Sequence, residues 1–190
     1  MMPTPPRALT GGVALLERAV SYTLGNLMLV TDESMANPTP CREWDLRALL
    51  AHLDDALTAL AEAAEFGRVS LEPAAPVPGD PAAAVRARAG ELLGAWSGEP
   101  RDLVSLGGTS MTTGLIAGAG ALEVAVHGWD VARACGHDRP LPPALAGEML
   151  ELSALFVTGA DRPERFAAPI EVTGRATSGD RLLAFLGRRP

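Results

Sequence analysis

The stretch Asp45–Phe66, DLRALLAHLDDALTALAEAAEF, sets Leu46, Leu49, Leu50, Leu53, Leu57 and Leu60 at steps of three and four residues. That spacing gathers all six on one face of an α-helix, whereas a strand, with its period of two, would scatter them over both faces. Asp45 stands where an N-cap is wanted. The same helix carries His52, flanked by Ala48, Ala51 and Ala56, whose small side chains let another backbone come close.

A second helix is expected over Ala121–Gly136, ALEVAVHGWDVARACG, with Gly136 as its candidate C-cap. Leu122, Ala125, Val126, Trp129 and Ala132 form its core side. Glu123 and His127, four apart, lie one above the other on a different side. Asp130 joins them there, since seven residues are close to two turns. Carboxylate oxygen and imidazole nitrogen both suit zinc and similar ions. A pair at i, i+4 supplies two ligands, so a third must come from elsewhere. The chain has three histidines. His137 follows Gly136 among Asp138, Arg139 and Pro140, which is loop chemistry, and is expected in solvent. His52 remains. Packed side by side, the two helices would make His52, Glu123 and His127 a two-His, one-carboxylate set with positions left open for water or substrate, the pattern of a catalytic zinc site. A hydrogen-bonded Glu–His pair inside a bundle meets the same spacing, and on spacing alone both readings stand.

The rest of the chain is read around these helices. Leu9–Val30 is expected as a first helix, with Leu15, Leu16, Ala19, Tyr22 and Leu27 among its apolar residues. Asn37–Pro40 breaks it from the next. Gly67–Gly79 is a linker long enough to frame a pocket. Asp80 and Pro81 open a third helix that runs to about Trp96 and is stopped by Ser97–Pro100. Arg101–Gly108 is short and expected to be extended. In Thr109–Gly120 the spacing of Gly114 and Gly118 reads as close helix contact, and no Gly-Lys-Ser/Thr follows to make a phosphate loop. Pro142–Val157 is a further helix, Ala168–Val172 is expected to be extended, and Gly179–Leu186 is a short terminal helix. Arg188 and Arg189 are expected in solvent.

Single residues carry weaker signals. Cys41 lies in a proline turn with no histidine near it in sequence, so a structural role is preferred to a nucleophile. Trp44 beside it reads as a core anchor. Asp55, three residues after His52, is placed either to orient a ligand or in solvent. Asp130 is the candidate catalytic residue, for acid–base work or for orienting a ligand, with an i, i+3 pair to Arg133 as the plain alternative.

At 190 residues the expected organisation is one domain over 1–190, with a loose Pro-rich start at 1–8. Hydrophobic residues at 47% with aromatics at only 4% point to an Ala-, Leu- and Val-rich helical protein. A net charge of −7 argues against general nucleic-acid binding, which wants a basic face. No stretch is apolar enough to span a bilayer, and MMPTPPRALTGG lacks the apolar run of a secretory signal. Two cysteines make no disulfide framework, so cytoplasmic residence is the default expectation.

Pro38–Leu53, PTPCREWDLRALLAHL, and Glu123–Gly136, EVAVHGWDVARACG, resemble the two signature helices of the mycothiol-dependent maleylpyruvate isomerase N-terminal domain. That domain belongs to the DinB-like superfamily of metal-binding four-helix bundles. Phe166–Pro190 resembles the tail of a short, single-domain actinobacterial branch. The Thr-Pro-Cys-x-x-Trp entry, the helix-borne His and the Glu-x-x-x-His-x-Trp-Asp helix occur together and in order. The resemblance implies a mostly α fold, a DinB-like four-helix bundle with short C-terminal additions. It also implies a metal set that maps onto His52, Glu123 and His127 with no ligand missing. The isomerase carries a second, C-terminal domain to which this chain does not extend, so the resemblance bears on the site rather than on the substrate.

The function so implied is a metal-dependent enzyme of the mycothiol-dependent isomerase or thiol S-transferase type. A divalent metal, zinc first with nickel, iron or manganese as alternatives, would activate a thiol or polarise a small-molecule substrate. Mycothiol or another low-molecular-weight thiol is the implied cosubstrate. Partners are otherwise a small molecule and, as an open alternative, a second copy of the chain, with no nucleic acid and no membrane. Two further alternatives are a thiol-free metal-dependent cyclase or isomerase of a specialised metabolite, and a non-catalytic metal- or small-molecule-binding protein. A purely structural helical domain without metal is the last.

Overall fold

The computed structural model describes residues 11–41, 44–70, 79–96, 101–162 and 165–190. The expected loose start, the first residues of helix one, most of the 67–79 linker and the 97–100 stop lie outside these residues.

The protein is mostly α-helical. The helices are α1 (Gly12–Leu27), α2 (Leu46–Phe66), α3 (Pro81–Ala95), α4 (Thr113–Ala134), α5 (Pro143–Phe156) and α6 (Ser178–Phe185). The expected start signals operate. Asp45 caps α2 by accepting from the Ala48 N–H, and Asp80 caps α3 by accepting from the Ala82 N–H, with Pro81 in the first turn. All six leucines of the α2 stripe are buried.

Contacts along the helices establish their directions. Gly12 of α1 lies against Gly114, the Thr23 hydroxyl donates to the Val124 carbonyl at 2.8 Å, and Asn26 Nδ2 donates to the Gly128 carbonyl at 2.9 Å, so α1 and α4 run parallel. His52 meets Glu123 while Leu60 meets Gly120, so α2 and α4 run antiparallel. Asp54 faces Arg88 and the Leu60 carbonyl accepts from Trp96 Nε1 at 3.1 Å, so α2 and α3 run parallel. The first four helices therefore go up, down, down, up. A parallel neighbour cannot be reached by a tight turn, and this accounts for the long connection between α2 and α3.

Helix α4 is the centre of the bundle. Helices α1, α2 and α5 pack on it, and Arg133 is the one residue along it that is exposed. The sequence suggested a helix with a core side and a polar side, starting at Ala121. The helix instead starts at Thr113 and is buried almost all round, as its Gly- and Ala-rich first half allows. Small residues set the spacing. At Gly128, next to His127, an added Cβ would run into the Thr23 side chain, and at Gly120 it would run into Leu60. Gly118 faces Leu152 and Phe156 of α5.

A small sheet closes one end. Strand β1 (Arg68–Val69) pairs parallel with β2 (Leu103–Leu106), which pairs antiparallel with β3 (Thr109–Thr112). The β2 strand falls in the segment expected to be extended. The hairpin to β3 was not anticipated, although Gly107-Gly108, both at positive φ, is a two-residue hairpin signal between two β-competent runs. Ala168–Val172, expected to be extended, forms no strand. It lies along α6, where the Ile170 N–H is taken by the Ala184 carbonyl at 2.9 Å, so no sheet partner is needed. Among the described residues no helix is long and apolar enough to cross a membrane.

Candidate metal centre

Three side chains from two antiparallel helices converge at the middle of the bundle. His52 Nε2 of α2 lies 2.5 Å from Glu123 Oε1, and His127 Nε2, one turn further along α4, lies 3.0 Å from the same oxygen. The two imidazole rings are 5.1 Å apart and nearly perpendicular. The His52 and Glu123 side chains are 36% and 34% exposed, whereas His127 is only 7% exposed. The cluster thus has a solvent side and a buried side.

The loop before α2 supplies a wall. Thr39 and Trp44 bond to each other across the turn, the Leu46 N–H bonds the Asn37 carbonyl, and Asn37 Nδ2 reaches the Ala134 carbonyl at the end of α4 at 2.9 Å. So held, the Trp44 ring lies tilted against both imidazoles, its centroid 4.5 Å from that of His52 and 5.9 Å from that of His127. Trp44 is an anchor, as expected, but it anchors onto the histidines.

Behind His127 lies Asp130, which is 0% exposed. His127 Nδ1 donates to Asp130 Oδ2 at 2.9 Å. The remaining capacity of the carboxylate is filled by Arg188, whose Nε lies 2.9 Å from Oδ1 and whose Nη2 lies 2.7 Å from Oδ2. Arg188 was expected in solvent and is 8% exposed. A buried carboxylate needs a charged partner, and a guanidinium offers one that matches both oxygens. Asp130 does not pair with Arg133, which instead reaches Asp138 and stacks over Trp129.

These contacts fix the charges. Burial alone would push the Asp130 carboxyl up, but the Arg188 guanidinium and the His127 imidazole hold it below the ordinary carboxylate range. Desolvation would likewise raise Glu123, and its two imidazole neighbours hold it well below that range. Burial would lower His127, yet Glu123 and Asp130 together push it up to about 9.

The donor set fits a divalent ion. The His52, Glu123 and His127 donor atoms all lie within 4.8 Å of one another. Ligand distances of about 2.0–2.2 Å place neighbouring donors about 3–3.5 Å apart, which these side chains reach by small rotations. His127 has one nitrogen turned to the cluster and the other bonded to a carboxylate, the arrangement that orients a ligating histidine. A second group, Cys41, His127 and Asp130, is equally close but does not fit. Arg188 occupies both Asp130 oxygens and its Nη2 stands 3.8 Å from Cys41 Sγ, so a cation already fills that space. Burial pushes the Cys41 thiol up, against the pull of Arg188. Asp55 and His137 are exposed, and Asp54 pairs with Arg88 at 3.7 Å. Sequence reasoning missed Arg188. Its signal was Gly187, a residue that ends a helix and turns the next side chain back onto the bundle.

A mostly α, up-down-down-up bundle with two histidines and a carboxylate converging between its helices defines the class of DinB-like bundles. Within it, the chain belongs to the family described as the mycothiol maleylpyruvate isomerase N-terminal domain, which it matches over residues 16–132. It is also similar to an uncharacterized protein of Mycobacterium tuberculosis, found in strain CDC 1551 / Oshkosh and in strain ATCC 25618 / H37Rv. Each is 29% identical to it over 179 residues, covering 90% of this chain and 94% of the relative. No solved structure matches it.

Proposed function

We propose that this chain is a metal-dependent enzyme of the mycothiol-dependent isomerase or thiol S-transferase type, with a divalent ion held by His52, Glu123 and His127. The supporting observation is the convergence of those three donors, 2.5 Å and 3.0 Å apart across two helices, with the far nitrogen of His127 tied to Asp130. Zinc suits two histidines and a carboxylate, and nickel, iron and manganese accept the same donors. Bound there, the ion supplies Lewis-acid polarisation of a substrate oxygen or stabilisation of a thiolate at neutral pH.

The protein's own groups do the rest. Asp130 holds the proton on His127 Nδ1 and leaves Nε2 as the ligand atom. Trp44 closes one side of the cluster, and only the His127 ring is shut away from water. The half-open side at His52 and Glu123 is the approach for a small molecule. Asp130, fully buried, orients His127 and does not meet the substrate. The same reading places the protein in the cytoplasm, where low-molecular-weight thiols stay reduced. Cys41 and Cys135 are both free.

The test is elemental analysis of protein purified without a metal-affinity tag, alongside His52→Ala, Glu123→Ala and His127→Ala, followed by a thiol-dependent activity screen. One equivalent of metal, lost in each variant, with turnover only when mycothiol is added, is the expected result. Turnover without thiol moves the assignment to a thiol-free isomerase or cyclase. No metal after reconstitution with zinc, nickel and manganese overturns it.

A further inference from the structure

We propose that Arg188 is a positioning residue for this centre: from the C-terminal segment it clamps Asp130, and through Asp130 it sets which nitrogen of His127 faces the ligand position. The inference rests on the metal reading above. Asp130 Oδ2 is shared between Arg188 Nη2 at 2.7 Å and His127 Nδ1 at 2.9 Å, so the carboxylate cannot turn without breaking one of the two. Arg188 Nε holds the other oxygen at 2.9 Å. A lysine offers one point charge in place of this planar fork and cannot span both oxygens in the same way.

The chain is built to put the guanidinium there. Helix α6 ends in a Schellman turn, with the Gly187 N–H on the Ala184 carbonyl at 3.0 Å and the Arg188 N–H on the Leu183 carbonyl at 2.8 Å. Gly187 has φ +78°, and its Cα lies so close to Ala167 that a Cβ would stand 2.6 Å from the Ala167 Cβ. Arg162 Nη2 holds the Phe185 carbonyl at 2.7 Å. This segment lies beyond residues 16–132, the span of the family match, yet it completes the buried side of the site.

The experiment measures zinc affinity of the full chain by competition with a chromophoric chelator, together with the visible absorption of the cobalt-loaded protein. The samples are the wild type, Arg188→Lys, Asp130→Asn and the double variant, with far-UV circular dichroism to confirm folding. Arg188→Lys should weaken zinc binding about 10–100-fold and shift the cobalt bands, with no further loss in the Asp130→Asn background. Wild-type affinity and an unchanged cobalt spectrum in folded Arg188→Lys overturn the proposal and leave the metal reading standing. Additive losses in the double variant also overturn it, because Arg188 would then act elsewhere. Should Arg188→Lys not fold, wild-type affinity in Asp130→Asn overturns it equally. A wild type that binds no zinc overturns the metal reading and this proposal with it.

Discussion

His52 Nε2 and Glu123 Oε1 stand 2.5 Å apart although the two residues are 71 positions apart in the chain. Neither helix holds the cluster alone. The contact exists because α2 and α4 run antiparallel with Gly120 under Leu60, close enough for short side chains to meet.

Glu123→Gln keeps the size of the side chain and removes the charge that both imidazoles face. Metal content should fall from near one equivalent to near zero, while far-UV circular dichroism stays that of a folded bundle. Stability of the metal-free protein should drop by about 1.5–3 kcal/mol, the range for hydrogen bonds to a charged group. Elemental analysis and urea titration check the two parts.

Metal binding should release a proton near neutral pH. His127 in the metal-free protein is pushed up to about 9, and its Nε2 must be unprotonated to ligate. Apparent affinity should therefore rise with pH up to about 9 and level off above it. Calorimetry in buffers of different ionisation enthalpy should count close to one proton released at pH 7.5.

The same shift has the opposite sign for stability of the metal-free protein. His127 is raised above its unfolded value of about 6.5, so the stabilisation is fully present below about pH 6.5 and is lost as pH rises through about 9. Glu123 and Asp130 are lowered, so their contribution is present above the unfolded carboxylate range near 4 and is lost as pH falls below it. Urea midpoints of the metal-free protein should be highest between about pH 5 and pH 6.5.

Trp44 reports on the site. Its ring centroid lies 4.5 Å from that of His52, so cobalt or nickel bound by that imidazole should quench its emission. Trp44→Phe should abolish most of the fluorescence change on titration and leave the metal stoichiometry intact. A full-sized change in Trp44→Phe would assign the signal to Trp96 or Trp129.

Two glycines should be intolerant for different reasons. Gly128→Ala forces a Cβ into Thr23, separating α1 from the helix turn that carries His127, and should destabilise by about 1–3 kcal/mol and weaken metal binding. Gly187→Ala meets both a positive φ and the Ala167 backbone, and should cost a similar amount, about 1–3 kcal/mol. Guanidinium denaturation measures both.

Much of this was readable locally. The leucine stripe of α2, the caps at Asp45 and Asp80, the stop at Gly136 and the Glu123–His127–Asp130 face depend on spacings of a few residues. Helical period and capping chemistry act over that distance. Gly136 indeed lies in the left-handed region, with the His137 N–H on the Ala132 carbonyl at 2.9 Å. The errors are also physical. The Ala168–Val172 run looked like a strand because β propensity does not say whether an edge is available to pair with.

What the sequence by itself determined is therefore the set of helices, the buried leucine face of α2 and the residue types able to bind a metal. Tertiary structure alone decided that α2 and α4 run antiparallel at close approach, that Trp44 covers the two histidines, and that Asp130 belongs to Arg188 rather than to Arg133. Arg188 is 58 positions from Asp130. No periodicity links residues that far apart. Only the fold, by burying a carboxylate that must then find a cation, brings the chain's end back to its centre.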